Sequence, residues 1–94
     1  MLISTVVMFD VRSGKEIQFQ AALERVLEST SRAKGFVRCD RYRDRADPRR
    51  YLLHEVWTDG SDLEPHVKSD YLQRFLTETN DLVEAKDIRV LEPF

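Results

Sequence analysis

The sequence is short of the residues that build stapled, metallated or membrane-spanning proteins. Its single cysteine, Cys39, has no internal partner for a disulfide and fits a reducing compartment. Two histidines beside that one cysteine fall short of a metal site. No glycine-rich stretch offers a phosphate cradle, since the chain has three glycines in all. No apolar run approaches the roughly 20 residues a membrane-spanning helix needs. The apolar start MLISTVVMFDV has no basic opening and no small-residue cleavage site, and it alternates into Asp10 and Arg12. It reads as a strand and not as a signal peptide. The formal charge of -2 gives no general case for nucleic acid or membrane binding. The expectation from these absences is a cytoplasmic, soluble protein.

What is present is ordinary for a globular domain. Ninety-four residues fit one small domain, and 41% apolar with 34% charged residues argues against wholesale disorder. A domain this small buries a modest fraction of its surface, so self-association is a natural way to complete its core. Charge is unevenly placed. Arg32 to Arg50 holds eight Arg/Lys against three Asp/Glu, and Asp59 to Phe94 holds nine acidic residues against four basic. Solvated surfaces explain both runs; an anion-binding rim or charge-complementary subunit packing are the sharper alternatives.

Periodicity gives the elements. Leu2 to Val11 is apolar on both faces, with Ile3, Thr5, Val7 and Phe9 on one and Leu2, Val6 and Met8 on the other, as in a strand covered on both sides. Ser13-Gly14 breaks it, and Ser13 with Glu16 has capping-box spacing. A helix to about Ala33 follows, with Phe19, Ala22, Leu23, Val26, Leu27 and Thr30 as its apolar stripe, and Gly35 ends it. Phe36 to Arg45 and Arg49 to Thr58 read as a hairpin turning at Asp47-Pro48. Beyond Asp59-Gly60, a short helix carrying Pro65 and His66 leads into a longer one from about Ser69. Its stripe is read as Tyr71, Leu72, Phe75, Leu76, Leu82 and Val83, closed by Lys86-Asp87. Ile88 to Leu91 is read as a last short strand.

The order βαββαβ is the ferredoxin-like α+β arrangement, a four-stranded antiparallel sheet with helices on one face. Strands apolar on both faces need a second cover, so a homodimer through sheet faces is expected.

Three stretches carry a family resemblance: Gly35 after the first helix, Tyr51-Leu52-Leu53-His54-Glu55-Val56-Trp57, and Leu63-Glu64-Pro65-His66-Val67-Lys68-Ser69. With Phe75 and the closing Asp87-Ile88-Arg89-Val90-Leu91-Glu92-Pro93 they span the chain. It resembles the antibiotic biosynthesis monooxygenase family of dimeric α/β-barrel proteins, including small quinol monooxygenase-like proteins. The resemblance implies a pocket between sheet and helices in each subunit. It also implies oxidation of a small quinol or polyphenol with O₂, using no flavin, haem or metal. Haem-degrading relatives pair a histidine near this position with an asparagine on the first strand, and the first strand here has none.

On that resemblance His66 is the candidate base, with an ordinary proton affinity suited to taking a phenol proton. Trp57 is expected at the pocket mouth, where it would stack a planar ring. Leu53 stands where the family's better characterised oxygenases place an asparagine. Tyr71 and Phe75 are core residues of their helix and candidate pocket walls, Tyr71 with a hydroxyl for a substrate oxygen. Glu55, a carboxylate among apolar neighbours, needs a partner or a raised pKa. An arginine such as Arg41 or Arg43 across the dimer is one partner; a second acid/base role is the alternative. Two other functions fit the same residues: a non-catalytic dimeric binding or stress-response module, and an isomerase of a small hydroxycarbonyl compound with His66 as proton shuttle.

Overall fold

A computed structural model describes residues 1–94. Four strands, β1 (Ile3–Val11), β2 (Phe36–Arg43), β3 (Arg50–Trp57) and β4 (Val83–Leu91), form one antiparallel sheet in the order β2-β3-β1-β4. Helices α1 (Glu16–Thr30), α2 (Leu63–Val67) and α3 (Asp70–Thr79) supply the second layer, with a 3₁₀ turn at Gly60–Asp62 leading into α2. This is the ferredoxin-like α+β fold expected from the pattern. The sheet is open, not closed on itself. No helix is long and apolar enough to cross a membrane.

Register explains which side chains meet. β1 and β3 pair Thr5 with Glu55, Val7 with Leu53 and Phe9 with Tyr51, so alternate residues of both strands face the helices together. Tyr51, Leu53, Glu55 and Trp57 are buried on that face, while Leu52, His54 and Val56 point to the other side, as the alternation requires. The α1 stripe of Phe19, Ala22, Leu23 and Val26 packs on it. Phe9, Phe19 and Phe75 meet ring to ring at 5.1 to 6.2 Å and join β1, α1 and α3.

Three local expectations fail. The helical stripe does not run through Leu82 and Val83: α3 stops at Thr79, and β4 begins at Val83 rather than at Ile88. Thr79, Asn80 and Asp81 are weak helix formers, and the Leu82 carbonyl accepts from the Arg12 amide at 2.8 Å, which draws the chain into the sheet. Leu82 and Val83 still reach the core, so their spacing from Phe75 mimicked a helix. The charged residues Glu84, Lys86, Asp87 and Arg89 therefore belong to an edge strand, where charge discourages unwanted pairing. The Ser13 cap does not form either. Gly14 is left-handed, α1 starts later at Glu16, and the Glu16 carboxylate accepts from the Gly14 amide instead.

α1 stops at Thr30 with Ser31 as a right-handed cap, so Gly35 ends the α1–β2 connection and not the helix; its φ is +84°, and the Asp62 side chain packs directly on its α-carbon. Asp62 also accepts from the Thr58 hydroxyl at 2.8 Å, and the Thr58 amide donates to the Gly35 carbonyl at 2.8 Å. This clamp ties the start of the α2 segment to the sheet. Gly35→Ala combines left-handed strain of about 1–2 kcal/mol with a methyl group inside the Asp62 carboxyl. Gly14→Ala has the same φ but open space around it. Chemical denaturation should show a loss of about 2 kcal/mol or more for Gly35→Ala and about 1 kcal/mol for Gly14→Ala. Equal losses would show that the clamp contributes nothing.

Candidate active site

Between the helix-facing side of the sheet and the three helices lies a cavity of about 490 Å³. Its floor is Thr5, Val7, Phe9, Leu53 and Glu55; α1 and α3 add Val26, Leu72 and Phe75. α2 lies across it and contributes His66. On the β4 side Ile88 and Val90 line it while remaining 54% and 57% exposed, so this wall is open.

Glu55 is 7% exposed on the central strand β3. Its Oε1 accepts from the Thr5 hydroxyl at 3.3 Å and from the Trp57 indole N–H at 3.2 Å. Oε2 has no protein partner, yet no buried side-chain oxygen is left unpaired, so Oε2 retains access to the cavity. Burial raises the Glu55 pKa above its ordinary value, and the hydrogen bonds from Trp57 and Thr5 restrain that rise. Within the chain, neither Arg41 nor Arg43 pairs with Glu55. Arg41 pairs with Glu24, and the Arg43 guanidinium sits 5.9 Å from the Tyr51 ring centroid.

His66 is 8% exposed, and burial lowers its proton affinity, so the neutral ring is favoured. Three contacts orient it. The Trp57 ring lies 4.7 Å from it, centroid to centroid. The Tyr71 hydroxyl is 2.6 Å from Nδ1, and the Ser69 hydroxyl donates to the His66 carbonyl at 2.6 Å. Ser69 is also the N-cap of α3, accepting from the Leu72 amide, so the helix that carries Tyr71 and Phe75 starts from the same hydroxyl.

Leu53, Glu55, His66 and Phe75 thus line one cavity. Trp57 does not stand at its mouth. It is 0% exposed, packed edge-on to Phe36 at 5.7 Å, and lies behind Glu55 and His66 rather than in front of a ligand. Strand alternation places it on the helix face, where α2 covers it completely. Tyr71 is also displaced: it lies behind His66, outside the lining of this cavity, and meets the imidazole instead of a ligand. Thr5 was missed. Its signal was a polar residue on the apolar face of β1, and its register opposite Glu55 needed the topology.

The two ionisable groups give opposite pH signatures. Glu55 has a raised pKa in the folded state, so its contribution is fully present below the ordinary 4.5 and is lost as pH rises through the raised value. His66 has a lowered pKa, so its contribution is present above the ordinary 6.5 and is lost as pH falls. In Glu55→Gln the amide oxygen keeps both hydrogen bonds and cannot ionise. Thermal unfolding across the pH range should show the variant gaining on the wild type as pH rises above 4.5. A difference that does not change with pH would contradict a buried, ionisable Glu55.

The family model for antibiotic biosynthesis monooxygenases matches residues 2–78. Among solved structures, a conserved protein from Methanosarcina mazei Go1 superposes with a TM-score of 0.94 at 19% identity, covering 100% of this chain and 94% of its own. A protein from Shewanella oneidensis gives 0.89 at 26% identity, covering 96% and 88%. SnoaB from Streptomyces nogalater, a cofactor-independent oxygenase, gives 0.89 at 22% identity, covering 99% and 93%. No curated protein matches. At these identities the structures speak for the fold, and the family model covers most of the chain. The chain belongs to the antibiotic biosynthesis monooxygenase family.

Proposed function

We propose that the protein is a cofactor-independent monooxygenase acting on a small quinol or polyphenol. The observation that carries this reading is one apolar cavity in which Glu55 and His66, both anchored by Trp57, present an open carboxyl oxygen and a neutral imidazole. A flat aromatic ring suits walls of Leu53, Leu72 and Phe75. A hydroxycarbonyl or sugar-like ligand would leave its hydroxyls unpaired there, which disfavours the isomerase alternative.

His66 takes the hydroxyl proton of the ring, and the resulting phenolate can itself pass an electron to O₂. Transfer from a phenol of pKa about 10 to an imidazole of ordinary pKa about 6.5 is uphill by about 5 kcal/mol, and burial of His66 adds to this. That is well below the roughly 16 kcal/mol barrier of an enzyme turning over at about 10 per second. Recombination with oxygen forms a C–O bond at a hydrogen-bearing ring carbon ortho or para to the hydroxyl, the ortho carbon where the para position carries a second hydroxyl. The O–O bond then breaks, and Glu55, its pKa raised by burial, is placed to protonate the departing oxygen. One oxygen atom stays as the new carbonyl; the other leaves as water with the hydrogens of the former C–H and O–H. Phenol plus O₂ gives quinone plus water, and no outside electron donor is consumed.

The helix-free face of the sheet supports the homodimer. Val6, Met8, Leu52 and Val56 lie half-buried there with no element of the same chain over them. A second copy of the chain brings a matching apolar surface. Light scattering should give twice the 11.1 kDa chain mass, and Met8→Lys should shift it toward the monomer. A monomeric wild type would contradict the dimer.

Oxygen consumption with 1-naphthol, 1,4-dihydroxynaphthalene and hydroquinone, run with a chelator and a no-protein autoxidation control, tests the activity. Uptake above autoxidation is expected, with His66→Ala lowering kcat by about 100-fold or more. Uptake indifferent to His66→Ala would remove His66 as the base. No uptake by folded protein that still binds the ring would favour the binding module.

A further inference from the structure

His66 stands between two cavities. Behind it, away from the apolar one, is a second hollow of about 430 Å³ with a more polar lining that includes Lys34, Ser61, Asp62 and Tyr71. His66 is the one residue common to both linings. Tyr71 lines the polar hollow and not the apolar cavity, and its hydroxyl holds Nδ1 at 2.6 Å. The two nitrogens of an imidazole diverge, so with Nδ1 turned to Tyr71 the atom left for a ligand in the apolar cavity is Nε2.

We propose that His66 and Tyr71 form a proton relay that carries the substrate's proton out of the apolar cavity into the polar hollow, with Tyr71 as a positioning residue that never meets the substrate. The use of the relay rests on the oxygenase reading; its geometry does not. In the starting state Nδ1 carries the ring proton and donates it to the Tyr71 oxygen. The substrate O–H bond breaks as Nε2–H forms, Nδ1–H breaks as a new Tyr71 O–H forms, and the original hydroxyl proton of Tyr71 passes to water in the hollow. The bonding pair stays with the phenolate, and both side chains end neutral. A proton returning by the reverse path restores the starting state.

The relay has a chemical use. An imidazolium kept beside the phenolate would hold its electrons by charge, whereas a neutral His66 leaves the anion a stronger electron donor toward O₂. The charged groups near the path are Glu55, Glu64, Lys68 and Lys86 around the apolar cavity, and Lys34 and Asp62 around the hollow. None of them hydrogen-bonds to or forms an ion pair with either side chain of the relay.

Two measurements test the inference. In the folded wild type without ligand, ¹⁵N NMR should show His66 with its proton on Nδ1; a proton on Nε2 would overturn the relay, because no acceptor would face the substrate. With 1,4-dihydroxynaphthalene as substrate, Tyr71→Phe should lower kcat on the order of tenfold or more with KM within about twofold. Imidazole in the buffer should restore part of the rate through the hollow. An unchanged kcat, or a raised KM alone, would reduce Tyr71 to a structural contact and overturn the inference. A wild type that consumes no oxygen contradicts the oxygenase reading instead, and the tautomer then decides the relay by itself.

Discussion

The indole of Trp57 fixes the two groups on which the site depends. Its N–H holds Glu55 Oε1, and its ring packs on His66 at 4.7 Å from outside the lining of the apolar cavity. A carboxylate on a central strand would otherwise be an unpaired charge in an apolar layer, and a histidine on a five-residue helix would otherwise have little to orient it. Both problems are solved by one side chain at the end of β3, itself locked by Phe36 and by complete burial. The price is that Trp57 cannot also serve as a stacking platform for a ligand. The side chains that line the cavity in its place are Leu53 on the floor and Phe75 on α3.

The rest of the fold follows from bringing α2 over this residue. Gly35, Thr58 and Asp62 tie down the segment before α2, and Ser69 ties down the segment after it. Between these anchors a short helix holds a buried histidine that its own five residues could not hold. The remaining helix-face apolar groups of β4, Ile88 and Val90, stay exposed beside the cavity, so the cavity wall is least complete at the sheet edge.

Much of this was legible in the sequence because strand alternation is a strong physical constraint. The two-sided pattern of β1, the opposite faces of β3 and the left-handed turn at Gly35 before β2 together point to the topology. They also put Leu53, Glu55 and Trp57 on one face. What alternation cannot give is depth: Trp57 and Leu53 share a face, yet one is sealed under α2 and the other floors a cavity. Tyr71 lay in an apolar stripe that spoke for the core, and its position behind His66 depends on the angle between α2 and α3. The end of α3 was hidden because Leu82 reaches the core from a turn at helical spacing. Glu55 was read correctly as a carboxylate needing partners, but Thr5 is fifty residues away and only the β1–β3 register brings it opposite.

The central claim is that the ring of a phenolic ligand lies over Leu53 with its hydroxyl on His66. An anaerobic crystal structure with 1,4-dihydroxynaphthalene tests it most directly. The account predicts the ring between Leu53 and Phe75, with a hydroxyl oxygen about 3 Å from the imidazole of His66. A ring bound on the helix-free face of the sheet, or one in the cavity with both hydroxyls turned away from His66, would contradict it.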